Sequence, residues 1–170
     1  INVWLKNAAN SAIYNEGTTL LSGVDISDSA PDKGAAVYNL GSCTASNSGF
    51  ARNTAVYRGG VFYSEGHLVV QDCRLDSNDV TFRSANDDNG GAAIYNNGGT
   101  LEVINSRITN NLKNIVIRDG NAGDLINAAI VTTGGTTIRD SLIANNTGSW
   151  GAGIYATNGI ELEIYNTTFE

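Results

Sequence analysis

Two stretches of the chain concentrate oxygen ligands. Asn86-Asp87-Asp88-Asn89 offers two carboxylates and two amides, and Asp119-Gly120-Asn121-Ala122-Gly123-Asp124 alternates oxygen-bearing residues with glycine. Calcium takes such hard ligands, so Asp87, Asp88, Asp119 and Asp124 are candidate calcium ligands; no other cofactor is indicated. Neither stretch has EF-hand spacing, and Asp and Asn also serve simply as turn formers. Acid–base chemistry on sugars needs converging carboxylates, or carboxylates with a basic proton acceptor. Asp87 and Asp88 are adjacent, so in extended chain they diverge. The single histidine, His67, sits in Glu65-Gly66-His67, which reads as a turn. Arg83 beside Asp87 and Asp88 is the residual constellation. The catalytic set is therefore read as empty, with a polysaccharide lyase or glycoside hydrolase as the alternative.

Two series of side chains suit binding better than catalysis. Tyr14, Tyr38, Tyr63, Tyr95 and Tyr155 each follow an inner apolar residue, so they are expected to point outward; Val131 interrupts the series. An exposed aromatic ladder stacks on sugar rings or packs against a neighbouring molecule, and its plainer role is to cover its own sheet. Lys6, Lys33, Arg58, Arg83 and Arg118 precede the same phrase and are expected to form a basic stripe, with Lys33 the least well matched. Such a stripe attracts an acidic polysaccharide or an acidic neighbour. The net charge of −7 argues against a nucleic-acid partner.

These residues are carried on repeats. Ser11-Ala12-Ile13-Tyr14, Ala35-Ala36-Val37-Tyr38, Gly60-Val61-Phe62-Tyr63, Ala92-Ala93-Ile94-Tyr95, Ala128-Ala129-Ile130-Val131 and Ala152-Gly153-Ile154-Tyr155 recur at steps of 24, 25, 32, 36 and 24 residues. A second phrase follows, clearest as Leu101-Glu102-Val103-Ile104-Asn105-Ser106-Arg107-Ile108, with a degenerate copy from Cys43 to Phe50. Both alternate apolar and polar residues at period two, and Gly-Gly, Asn-Gly or Asn-Asn dipeptides separate them. That pattern means short strands joined by sharp turns. Turns of about 24 residues holding three short strands fit an all-β parallel β-helix of about six coils, with longer inserts in two coils. Val80–Arg83 and Ile115–Arg118 read as extra strands in the inserts, and Ala55–Arg58 and Val3–Lys6 look similar.

Aligned positions of such a fold stack in columns. Ile13, Val37, Phe62, Ile94, Ile130 and Ile154 should face inward. So should Leu68 with Leu101 and Leu162, and Val70 with Val103, Ile138 and Ile164. Ile26, Phe50, Leu75, Ile108, Ile143 and Phe169 form a third inner column. Asn47, Asp72, Asn105, Asp140 and Asn166 are expected to form an inner polar ladder at a strand end. Cys43 aligns with Leu101 and Cys73 with Ser106, so both read as small buried residues rather than a disulfide.

Composition agrees with this class. Charged residues make up 16%, below the quarter usual in soluble globular chains, and 41% are hydrophobic. No apolar run reaches the ~18 residues of a membrane-spanning helix. The chain begins at Ile1 without a Met and ends at Thr168-Phe169-Glu170 within an expected strand, so residues 1–170 are expected to be a single β-solenoid segment of a longer chain or stacked assembly.

Gly91-Ala92-Ala93-Ile94 together with Phe50-Ala51-Arg52-Asn53 resembles the repeats of chlamydial polymorphic outer membrane proteins. The run from Ala93 to Val103 is similar to the repeat-bearing exoproteins of environmental bacteria. The resemblance covers nearly the whole chain and implies a right-handed β-helix exported to the bacterial cell surface. The expected role is a stalk, adhesin passenger or fibre subunit, whose partners at both ends are further coils or identical subunits. The alternative is a carbohydrate-binding or pectin-lyase-like module, with the five tyrosines and Arg58, Arg83 and Arg118 as its binding residues.

Overall fold

The computed structural model describes residues 3–81, 90–111, 128–148, 151–157 and 159–170. Every pairing between strands in this region is parallel. The chain visits three sheets in a fixed order on each pass. The first pass that touches all three runs through Ile13–Asn15, Thr18–Ser22 and Val24–Ser27. Each later pass lays its strands beside those of the pass before, giving sheets of six, six and seven strands. No helix occurs among the described residues, and none is long and apolar enough to cross a membrane.

The apolar columns read from the repeats are real. In the first sheet Ile13 pairs with Val37, Val37 with Phe62, Phe62 with Ile94, Ile94 with Ile130 and Ile130 with Ile154. In the third, Ile26, Phe50, Leu75, Ile108, Ile143 and Phe169 follow one another in register. Cys43 lies in the second-sheet column with Leu68 and Leu101. Most of these residues form one continuous core, in which the Phe50 and Phe62 rings meet edge to face at 4.8 Å and against which Ile13 and Ile154 pack; in the last pass the expected inner residues Leu162, Ile164 and Phe169 are 36%, 41% and 45% exposed, because no further pass covers them. Inward apolar side chains alternate with outward ones along the strands; the outward positions of the second and third sheets are mostly exposed or half-buried, whereas those of the first sheet are largely covered.

Corners between the second and third sheets are made by single residues in the left-handed region: Asn47, Asp72, Asn105, Asp140 and Asn166, with φ between 42° and 55°. Asn and Asp accept that conformation more readily than other residues with a Cβ. This corrects the inner ladder expected for them. Asn47, Asn105, Asp140 and Asn166 are exposed, and Asp72 is half-buried. Asn105 Nδ2 donates to Asp72 Oδ1, and Asn166 Nδ2 donates to Asp140 Oδ1 at 2.8 Å, along the outside of the corner.

The buried polar ladder lies elsewhere, at Asn53, Asn78 and Asn111, all fully buried, and at the half-buried Asn146. Each asparagine Oδ1 accepts the backbone N–H and the Nδ2 of the preceding asparagine in the series. Each of these Nδ2 groups also donates to a carbonyl of the third sheet: Ile26, Phe50, Leu75 and Ile108 in turn. A hydroxyl column runs parallel to it. Ser106 Oγ accepts the Cys73 N–H, Ser141 Oγ the Ser106 N–H and Thr167 Oγ1 the Ser141 N–H. Most buried polar groups of these two columns are thereby paired from one pass to the next; the Ser29 hydroxyl, at the start of the asparagine series, is buried without a partner.

Glycine makes another corner possible. Gly41, Gly66, Gly99 and Gly134 stack between the first and second sheets, and a Cβ on any of them would strike backbone carbonyl oxygen of the preceding pass. The expected extra strands are shorter than the repeats suggest. Thr54–Ala55 pairs with Asp79–Val80, and the rest of Val80–Arg83 beyond Thr81 lies outside the described residues, as does Ile115–Arg118. Val3–Lys6 is no insert strand. It pairs with Val24–Ser27, with Leu5 beside Ile26, because its alternation matches the third-sheet column.

Candidate functional site

The tyrosines are in register on the outer side of the first sheet, with Val131 completing the row. Their rings stack in sequence. Centroids are 5.2 Å apart for Tyr14–Tyr38, 4.8 Å for Tyr38–Tyr63 and 5.8 Å for Tyr63–Tyr95. The expected exposed ladder is not what results. Tyr14 is 60% exposed, but Tyr63 is 1% and Tyr95 4% exposed, and Tyr38 and Tyr155 are half-buried. Tyr63, Tyr95, Ala128 and Val131 form a second apolar cluster outside the main core.

The basic residues explain part of this covering. Lys33 pairs with Arg58 across a parallel bridge, so the least well matched member of the expected stripe is in fact aligned with it. Lys33 Nζ lies 5.1 Å from the Tyr63 ring centroid, and Arg58 Cζ lies 5.0 Å from that of Tyr95. Each cation therefore caps the tyrosine of the following pass, a contact worth about 1 kcal/mol or more where water is excluded. The stripe itself does not continue as expected. Gly90 stands opposite Arg58, and Lys6 pairs with Ser27 in the third sheet. Arg83 and Arg118 lie outside the described residues, as do Asp87, Asp88, Asp119 and Asp124.

Burial, followed by the hydrogen bond and charge of Glu65, pushes the Tyr63 phenol far above its usual range. Its hydroxyl donates to Glu65 Oε1 at 2.7 Å and accepts from Asn97 Nδ2 at 2.9 Å. It is a satisfied structural group. The open end of the column differs. Tyr14 and Tyr38 border a hollow of about 500 Å³ shared with Asn10, Pro31, Asp32 and Lys33. Aromatic faces with mixed polar groups at this size suit a small polar ligand.

Other sequence candidates are not brought together. His67 is exposed, with its Nδ1 2.7 Å from Thr100 Oγ1. Cys43 and Cys73 are free and buried, and burial holds both thiols up at about 11, which leaves them protonated at neutral pH. Among the described residues no three His, Cys, Asp or Glu side chains gather as a metal site. One polar face went unread in the sequence: the outer row of the third sheet, where Trp4, Asp25, Gly49, Arg74 and Arg107 stand in register. Its signal was present, since Arg74 and Arg107 each directly precede a residue of the inner column.

No protein-family model, curated protein or solved structure matches this chain.

Proposed function

We propose that residues 1–170 form a segment of a right-handed parallel β-helix. Its role is that of a rigid element of an extracellular or bacterial cell-surface protein: a stalk, adhesin passenger or fibre subunit. The observation that carries this reading is the unbroken register of three sheets, each gaining one strand per pass, with both outer edges unpaired. The edge strands are also apolar: Trp4 is 66% and Leu20 72% exposed at one edge, and Tyr165 is 53% and Phe169 45% exposed at the other. Unpaired strands are templates for further strands. Further coils or identical subunits are the partners that satisfy them, and the columns suit such stacking. Ile154, Ile164 and Phe169 occupy the positions that Ile13, Leu21 and Leu5 hold at the opposite edge. The resemblance of the repeated phrases to bacterial surface proteins supports the same role.

Sedimentation and small-angle scattering of the native protein test the reading. The expected result is an elongated particle, either a longer chain or a head-to-tail assembly that grows with concentration. A compact, non-associating monomer of 17.8 kDa that stays folded overturns it.

A further inference from the structure

On the outer side of the third sheet, Trp4, Asp25, Gly49, Arg74 and Arg107 occupy one row across five strands. Strands stand 4.7–4.9 Å apart, so the row is about 19 Å long. Trp4 is 66% exposed and is anchored by its indole N–H, which donates to Asp25 Oδ2 at 3.0 Å. The second carboxylate oxygen, Asp25 Oδ1, lies over Gly49, where a Cβ would strike it. Gly49 thus opens a dip in the sheet between a carboxylate and the first guanidinium. The neighbouring outward row keeps the floor low, with Ser27 and Ala51 in register. Two adjoining hollows of about 420 and 590 Å³ share Asp25, Gly49 and Arg74 and reach from Trp4 to Arg107. That is the size range of ligand sites.

Two guanidiniums stand side by side in this row, and only one of them has an ion-pair partner among the described residues. Arg74 and Arg107 are direct partners in register, and like charges so placed destabilise a sheet. Arg74 pairs with Asp76 Oδ2 at 3.3 Å, while Asp76 Oδ1 accepts from Thr109 and Asn110 at 2.8 Å each. Arg107 has no ion pair among the described residues. A chain of net charge −7 therefore keeps two neighbouring guanidiniums on an open face.

We propose that this row binds an acidic polysaccharide. Paired guanidiniums take planar or tetrahedral anions through charge-assisted, bidentate hydrogen bonds. Trp4 supplies an apolar surface for a sugar ring, and Asp25 Oδ1 accepts from hydroxyls. Asn47 and Asn105 border the same hollow and add neutral donors and acceptors. Rings, hydroxyls and repeated anionic groups on one extended polymer match that sequence of groups. The site is separate from the tyrosine column; of its residues only Trp4 also lies on an outer edge strand of the segment.

The test is calorimetric titration of the full chain with three oligosaccharides: oligogalacturonate carrying carboxylates, a heparin oligomer carrying sulfates, and neutral maltohexaose. Binding to at least one anionic oligomer is expected, weakening as salt is raised. R74Q and R107Q should each lower affinity about tenfold, the scale of one lost charge-assisted contact. W4A should weaken binding as well. R139Q, whose parent arginine pairs with Asp140 on another sheet, should leave it unchanged. Preference for oligogalacturonate assigns the arginines to carboxylates, and preference for heparin assigns them to sulfates. The proposal is overturned if neither anionic oligomer binds, if maltohexaose binds equally well, or if R139Q weakens binding as much as R107Q. The exchanged side chains are solvent-facing, and circular dichroism of each variant checks that the fold is kept.

Discussion

Replacing Asn78 by alanine should remove a large part of the stability of this chain. The side chain is fully buried and makes four hydrogen bonds. Its Nδ2 donates to the Phe50 carbonyl and to Asn111 Oδ1, both at 3.0 Å, and its Oδ1 accepts the Asn53 N–H at 3.0 Å and Asn53 Nδ2 at 3.1 Å. Asn111 Oδ1 keeps a donor after truncation, because the Asn78 backbone N–H also reaches it. Three groups lose this partner: two N–H donors of Asn53 and the carbonyl of Phe50. A buried polar group left without its partner costs about 1–3 kcal/mol, so with partial relaxation the sum is about 3–5 kcal/mol. That is a large share of the 5–15 kcal/mol usual for a domain. Asn146 makes the comparison sharp. It is half-buried, accepts from Asn111 twice and donates once, to Ile108. Water reaches it, so Asn146→Ala should cost only about 1–2 kcal/mol. Urea unfolding followed by circular dichroism measures both. A loss below about 1 kcal/mol for Asn78→Ala, or an equal or greater loss for Asn146→Ala, would refute the reasoning.

Three further outcomes are expected. Phe62→Ala, at a fully buried position against Phe50, should lower stability by about 3–5 kcal/mol in the same assay. Gly66→Ala should cost about 1–3 kcal/mol through the clash with the Gly41 carbonyl, whereas Gly135→Ala, with open space around it, should change stability by less than about 0.5 kcal/mol. Cys43 and Cys73 should resist alkylation at pH 8 in the native protein and react after unfolding in urea. Burial raises both thiols to about 11. The unfolded value is near ~8.5, so their contribution is complete below that pH and is lost as pH rises toward the folded value. The urea midpoint should accordingly fall between those limits in the wild type and less steeply in the Cys43→Ala/Cys73→Ala double variant.

The inner columns were legible because period two is a direct image of a one-sided sheet: Val37, Phe62, Ile94 and Ile130 fall together however long the loops between them. The outward side was harder to read. Tyr63 looks exposed in the linear sequence, and only the pairing of Lys33 with Arg58 places a lysine over its ring. Asparagine was equally ambiguous. Asn105 and Asn111 are six residues apart in one pass, yet the first is an exposed corner with φ of 44° and the second is a fully buried ladder rung. The difference depends on which way each corner turns, and residue type does not encode that. The row from Trp4 to Arg107 stayed hidden because Val3–Lys6 reads as an insert until its pairing with Val24–Ser27 is known.

One property of the register bears on how such a chain changes length. The steps from Tyr63 to Tyr95 and from Tyr95 to Val131 are 32 and 36 residues, against 24 or 25 elsewhere, yet Phe62, Ile94 and Ile130 remain partners. Leu75, Ile108 and Ile143 do too, so all but one of the added residues enter at one corner, between the third sheet and the first. Doubling a flexible loop costs only about 0.6 kcal/mol of closure entropy. That corner is therefore a graft point. New sequence can be accepted there, and its surface chemistry altered, while the scaffold beneath continues to count strands as before.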